Sequence, residues 1–196
     1  TPMGTLAGTS QHEPFVIPAV GVTMPIDEQW RFGIGAYGVS GLGVDYRNMG
    51  WDLDGNPGNG YEGDVYTRLE IMRFAGMLAY QVSDEFSVGL SLPIAYNNLD
   101  LGEGGSHDYS IGGQLGLTYT LGTVHFGASY HTPMSASHER VFNFDAFMGS
   151  TDLDTLDLEA PAAWALGVAW EPDESFLVEL DGRYYEWGSA DGYSDL

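Results

Sequence analysis

Phe86-Ser87-Val88-Gly89-Leu90-Ser91-Leu92-Pro93-Ile94-Ala95-Tyr96-Asn97, resumed after a polar interval as Tyr109-Ser110-Ile111-Gly112-Gly113-Gln114-Leu115-Gly116-Leu117-Thr118-Tyr119-Thr120, decides the fold. Large apolar residues alternate with small or polar ones. Side chains along a strand point to opposite faces, so this is a sheet with one apolar and one mild face. The mild face is Gly, Ser, Thr, Gln and Asn with few charges, which suits a wet barrel interior. The apolar face, edged by aromatics, suits lipid.

The rest of the chain fits that reading. Its 196 residues are enough for one all-β domain. The 28 glycines are about twice the usual share. No run of 18 apolar residues occurs, so no transmembrane helix is expected, whereas a membrane-spanning strand needs only about 9–11 residues. There are 28 acids against 6 bases, all arginine, for a net charge of −22. That balance argues against a nucleic-acid partner. It fits solvated loops, or an anionic surface that gathers divalent cations. The chain has no cysteine, hence neither disulfides nor thiol chemistry. Thr1-Pro2-Met3-Gly4 lacks the basic and apolar regions of a leader peptide. An outer-membrane protein needs one, so the expectation is a removed leader or a piece of a longer chain.

Eight strands are expected: 15–25, 29–39, 66–82, 85–97, 108–121, 123–133 or on to 145, 156–171 and 175–187. Ile26-Asp27-Glu28-Gln29, Ser83-Asp84-Glu85, Gly122-Thr123 and Pro172-Asp173-Glu174 read as tight turns. Residues 40–65, 98–107 and 134–156 read as long acidic loops. Short turns at one end and long loops at the other are the layout of an up-and-down outer-membrane barrel. By parity both ends of the chain fall on the long-loop side, where an intact barrel does not keep its termini. An internal piece of a larger barrel accounts for that.

The expected lipid faces are Trp30, Phe32 and Ile34; Val124, Phe126, Ala128 and Tyr130; Trp164, Leu166, Val168 and Trp170; and Phe176, Val178 and Leu180. Trp30, Tyr80, Phe86, Tyr119, Trp170 and Phe176 abut the short turns, where an interfacial aromatic girdle belongs.

Several segments resemble the FadL/TodX outer-membrane transport family. Phe32-Gly33-Ile34-Gly35-Ala36-Tyr37-Gly38-Val39-Ser40-Gly41-Leu42-Gly43-Val44-Asp45-Tyr46 is similar to its second-strand region. Ala79-Tyr80-Gln81-Val82-Ser83-Asp84-Glu85-Phe86-Ser87-Val88-Gly89 resembles its hairpin, and Gly127-Ala128-Ser129-Tyr130-His131-Thr132-Pro133 its Ser-Tyr strand. Ala160-Pro161-Ala162-Ala163-Trp164 through Trp170, then Leu180-Asp181 followed by Tyr185-Glu186-Trp187, resemble later segments. The resemblance implies a barrel of about fourteen strands, of which this chain supplies about eight. It also implies a plug segment and final strands that these residues do not match. The function it implies is passive uptake of long-chain fatty acids or aromatic hydrocarbons across the bacterial outer membrane. The partners are then membrane lipid, lipopolysaccharide and a hydrophobic substrate, with no cofactor and no enzymatic step. A general porin or structural barrel is the alternative.

Candidate site residues follow. Asp52, Asp54 and Asn56 place three oxygen side chains at alternate positions of a Gly-rich turn, a Ca²⁺ pattern. Pro57 and Glu62 depart from it, and a plain acidic loop is the other reading. His125 and His131 share a face but lie about 20 Å apart along a strand, too far to share a metal. Glu179, Asp181 and Arg183, and separately Arg73, face inward, where they either pair across strands or line a polar path. Phe142, Phe144 and Met148 lie beyond the membrane and form either strand packing or part of a groove that collects apolar substrate.

Overall fold

Tight turns and a period of two should give a meander with each strand bonded to its sequence neighbour. The computed structural model has that architecture. It describes residues 8–11, 14–47, 51–52, 62–63, 65–142 and 153–193. The strands are β1 (Ala19–Pro25), β2 (Trp30–Asp45), β3 (Trp51–Asp52), β4 (Glu62–Gly63), β5 (Tyr66–Gln81), β6 (Phe86–Asp100) and β7 (Ser106–Ile111). They continue as β8 (Gln114–Leu121), β9 (Val124–His131), β10 (Met134–Phe142), β11 (Asp154–Ala160), β12 (Ala163–Asp173) and β13 (Phe176–Tyr185). One antiparallel wall runs β1-β2-β5-β6-β8-β9-β12-β13, with β7 also on β6. β1 and β13 do not pair with each other, and every residue of both is exposed.

The faces follow the alternation. Val88, Leu90, Leu92 and Ile94 stand outward and exposed, while Ser91, Ala95, Asn97 and Leu99 on the same strand are buried. In register, Leu90 pairs with Leu115 and Val88 with Leu117, so the apolar band continues across strands. Side chains close the turns at Asp27, Ser83 and Asp173. Asp27 Oδ1 accepts the Gln29 and Trp30 amides at 2.8 and 2.7 Å. Ser83 Oγ accepts those of Glu85 and Phe86, both at 3.2 Å. Gly122 turns β8 into β9 at a φ of 60°, a conformation that favours glycine.

Two aromatic girdles bound the band. At the short-turn end Trp30 stacks on Tyr80 at 4.6 Å and Trp170 meets Phe176 edge-on at 5.8 Å. At the far end Tyr96 lies 5.4 Å from Tyr109 and Tyr130 lies 4.3 Å from Trp164. Phe86 and Tyr96 mark the two girdles on one strand. The ten residues from one to the other span about 33 Å, or about 25 Å once tilted, the height of an outer-membrane apolar band.

Several expected boundaries move. The first strand begins at Ala19 rather than 15 because Pro18 has no N–H; its carbonyl still accepts the Gly38 amide at 2.8 Å. The region 40–65 is shorter as a loop, since β2 bulges between Gly38 and Ser40 and continues to Asp45. The loop 98–107 shrinks to 101–105 between β6 and β7. The strand expected at 108–121 is divided at Gly112-Gly113, opposite Pro93, which also cannot donate. Residues 134–156 hold a hairpin of β10 and β11, and the strand expected at 156–171 is divided into β11 and β12.

An arginine placed on the outward face should be costly and one on the inward face tolerated. Leu117→Arg is expected to destabilise the folded barrel in lipid by about 2–4 kcal/mol. Thr118→Arg, one residue on, should change stability by less than about 1 kcal/mol. Denaturant unfolding of the full-length protein in vesicles checks the contrast.

Candidate functional site

The β10–β11 hairpin creates the site. β9 points His125, Gly127, Ser129 and His131 inward. Continued without a break, the same parity would bring Ser135 and Ser137 inward and leave Met134, Ala136 and His138 facing out. Instead Met134, Ala136, His138 and Val141 are the buried residues. The last rung of the β8–β9 ladder is the Thr132 amide on the Gly113 carbonyl at 2.9 Å. Pro133 follows, which cannot donate, and β10 leaves the wall to fold over the inner face of β6 and β7. Gly112 permits the approach, for a Cβ there would stand 2.6 Å from Met134 Cγ.

β10 holds to β7 through side chains instead of a backbone ladder. Asp108 Oδ2 accepts the Ser137 amide at 2.8 Å, and the same carboxylate takes the Tyr109 amide. His138 Nδ1 donates to the Ser106 carbonyl at 3.2 Å; a carbonyl can only accept, so this nitrogen carries the proton. Asn97 donates to Ser110 Oγ at 3.0 Å beneath them. Burial pushes the His138 imidazole below its ordinary range, with the Ser106 carbonyl, Asp108 and Asp157 opposing.

Under this roof lies a cavity of about 670 Å³, within the range of small-molecule sites. Tyr37, Ile71, Arg73, Ala95 and Ser110 form one wall; His131, Ala163, Ala165, Arg183 and Tyr185 form the other; Met134, Ala136, His138 and Leu158 close it above. A second cavity of about 470 Å³ lies nearer the short turns, floored by Gly116, Gly127 and Gly167 and edged by Asp181 and Arg183. The two share Ser129, Ala165 and Arg183.

The candidate residues therefore separate. Arg73 and Arg183 come together on the upper cavity. Asp181 leans over Gly167 in the lower one. Glu179, opposite Ala169, lines neither. None of Glu179, Asp181, Arg183 and Arg73 forms an ion pair with a described residue. Phe142 ends β10 opposite Asp154, 43% exposed and outside both cavities; Phe144 and Met148 lie outside the described residues. Asp52 belongs to β3, paired with Glu62, while Asp54 and Asn56 lie outside the described residues. Among the described residues no group of three His, Cys, Asp or Glu is placed to hold a metal. The roof is what the sequence reading missed. Its signal is the alternation Met134, Ala136, His138 against Ser135, Ser137, Glu139, which shows a strand without telling which way it faces.

A family model described as "Outer membrane protein transport protein (OMPP1/FadL/TodX)" matches residues 3–115. No curated protein sequence matches the chain. Among solved structures, the Pseudomonas putida toluene transporter TodX is similar in two crystal structures. One has 22% identity and a TM-score of 0.65, over 89% of this chain and 55% of that one. The other has 21% identity and a TM-score of 0.66, over 92% and 56%. A TodX mutant titled as a monoaromatic hydrocarbon channel, deltaS2S3, matches at 20% identity and a TM-score of 0.63, over 87% and 54%. The chain spans just over half the length of these structures.

The roof should loosen in acid. A buried histidine held below its ordinary pKa stabilises the docked hairpin fully above about pH 6.5, where the undocked ring is also neutral. That contribution falls as pH drops below 6.5, because only the undocked ring takes a proton readily. Hydrogen exchange over residues 134–142, corrected for intrinsic rate, should speed up between pH 7.5 and 5.5. His138→Gln should remove most of the pH dependence.

Proposed function

Since the chain belongs to the FadL/TodX outer membrane protein transport family, we propose that the full-length protein carries hydrophobic small molecules passively across the outer membrane, aromatic hydrocarbons and long-chain fatty acids among them. The observation that carries this reading is the roofed cavity, which continues past Ala165 toward the short turns. An apolar molecule gains about 25 cal/mol for each Å² it withdraws from water. A series of weak apolar pockets in a wall of small residues lets it enter and leave with no covalent step. The lipid-facing band and girdles make membrane lipid the partner of the outer surface, with lipopolysaccharide at the long-loop end. Phe142, on the long-loop side of the roof, is the proposed first contact for a greasy molecule arriving from outside. A general porin fits less well, because a porin constriction sets arginines against acids, and Arg73 and Arg183 form no ion pair with a described carboxylate.

Filling the waist tests the route. Ala165→Trp in the full-length protein should reduce toluene uptake by tenfold or more while leaving expression and heat-modifiable migration unchanged, since the residue faces the lumen. Uptake at the unsubstituted rate would show that substrate does not pass here. Phe142→Asp should slow uptake at low substrate concentration by about an order of magnitude, the worth of one lost large apolar contact. Uptake measured across substrate concentrations checks this, because the deficit should shrink as substrate saturates.

A further inference from the structure

We propose that a groove on the outer face of β1, β2, β5 and β6 seats the acyl chains of lipid A, the phosphorylated and multiply acylated glycolipid that anchors lipopolysaccharide, with Arg68 above it taking a phosphate. This rests on the lipopolysaccharide contact of the reading above and gives that contact a place on the wall. It does not depend on what the lumen carries.

The first support is a dip in an otherwise even apolar band. Phe32, Leu78, Leu90, Leu115 and Tyr130 stand in register across the wall, a row of large side chains. The next outward row toward the long loops is Val22, Ile34, Gly76 and Leu92. The row after it is Val20, Ala36, Phe74 and Ile94. The side chains shrink at Gly76 and Ala36, and a Cβ at Gly76 would meet no atom within 4 Å. The result is a groove of about 410 Å³ walled by Val22, Ile34, Phe74, Leu92 and Ile94, all of them exposed. A glycine inside a strand gives up packing and often marks the close approach of a ligand.

The second support is where the groove lies. Tyr96 of the outer girdle pairs with Met72, the outward position next above Phe74, so the groove occupies the half of the band nearer the long loops, the outer leaflet. Water is absent at that depth, which leaves hydrocarbon as the occupant. The groove crosses four strands, three spacings of about 4.8 Å, a breadth that suits several chains side by side. Above the girdle the same outward face turns polar, with Glu70 opposite Asn98 and Arg68 opposite Asp100. Glu70 accepts from Arg68 at 2.7 Å and from Asn98 at 3.3 Å. The Arg68 side chain remains 43% exposed, and its Nε is buried with no acceptor, a group that in native structures calls for a further partner. Guanidinium presents a planar fork of donors matched to phosphate as well as to carboxylate. Arg68 and Phe74 lie about 20 Å apart along β5, so a ligand that reaches both has a polar head and a long apolar tail.

The test is native mass spectrometry of the full-length protein in mild detergent, with lipid A, dephosphorylated lipid A and dioleoyl phosphatidylethanolamine as probes. Lipid A should bind about tenfold more tightly than the phosphatidylethanolamine, or better. Gly76→Leu combined with Ala36→Leu fills the groove and should weaken both forms of lipid A by about tenfold or more. Val168→Leu, outward on β12 and away from the groove, should leave them within about twofold. Arg68→Gln should weaken lipid A about tenfold, the worth of a charge-assisted contact, and leave the dephosphorylated form within about twofold. Every variant should keep its heat-modifiable migration and its toluene uptake, because these positions face away from the lumen. Equal affinity for lipid A and phosphatidylethanolamine, or a filled groove that leaves lipid A binding unchanged, overturns the site. So does a filled groove that slows toluene uptake, since the groove then belongs to the substrate route. Arg68→Gln weakening both forms of lipid A alike overturns the phosphate contact. An unsubstituted protein that binds lipid A and carries no hydrophobic substrate overturns the transport reading and leaves the site standing.

Discussion

In lipid every backbone N–H and C=O must find its partner within the protein, and this constraint shapes the rest of the molecule. The wall meets it with an antiparallel ladder between neighbours from β1 to β13, interrupted by bulges and by the gap between β7 and β8, and left open at the edges of β1 and β13. A departure of another kind is where β10 packs on β7 without a ladder. There the ladder is replaced by Asp108, which takes the amides of both strands, and by His138 on the Ser106 carbonyl. The inward hairpin is possible because these side chains satisfy groups that the missing rungs would have satisfied. Such a joint is worth less than a ladder of the same length, since it holds by a few bonds on one strand face. Local opening should therefore concentrate in the roof rather than the wall.

The wall was legible because a half-buried strand repeats every two residues and a slip of one would turn every leucine to the wrong side. Leu90 and Leu115, or Phe126 and Val168, could be assigned outward from pattern alone and are paired that way. The roof was not legible for the same reason. Met134-Ser135-Ala136-Ser137-His138 alternates as cleanly as any wall strand, and only the turn at Thr132-Pro133 decides which residues face in. The breaks followed from missing donors: Pro18 sets where β1 starts, and Pro93 sits opposite the gap between β7 and β8. Arg73 and Arg183 were legible as inward residues. That they share a cavity depends on the curvature of five strand spacings, which no local pattern encodes. Glu179, Asp181 and Arg183, grouped by sequence spacing, lie about 7 Å apart one from the next, so Arg183 reaches both cavities, Asp181 the lower one and Glu179 neither.

Charge placement links the wall to the site. Asp27, Glu28, Asp84, Glu85, Asp173 and Glu174 crowd the short turns, where carboxylates close the turns through their own backbone or meet water. The outward band between the girdles carries none on the strands that face lipid, as the cost of a charge there requires. The lumen face is mostly small residues, and its charged groups are few, among them Arg73, Asp181 and Arg183 on the two cavities. In the upper cavity the charged lining is Arg73, Arg183 and Glu159, the last engaged by the Ser135 hydroxyl. An apolar body can slide past Ala163 and Ala165 with little preference for any one position. Arg183 stands with Ser129 and Ala165 where the two cavities share their lining, so one fixed positive charge borders both at once.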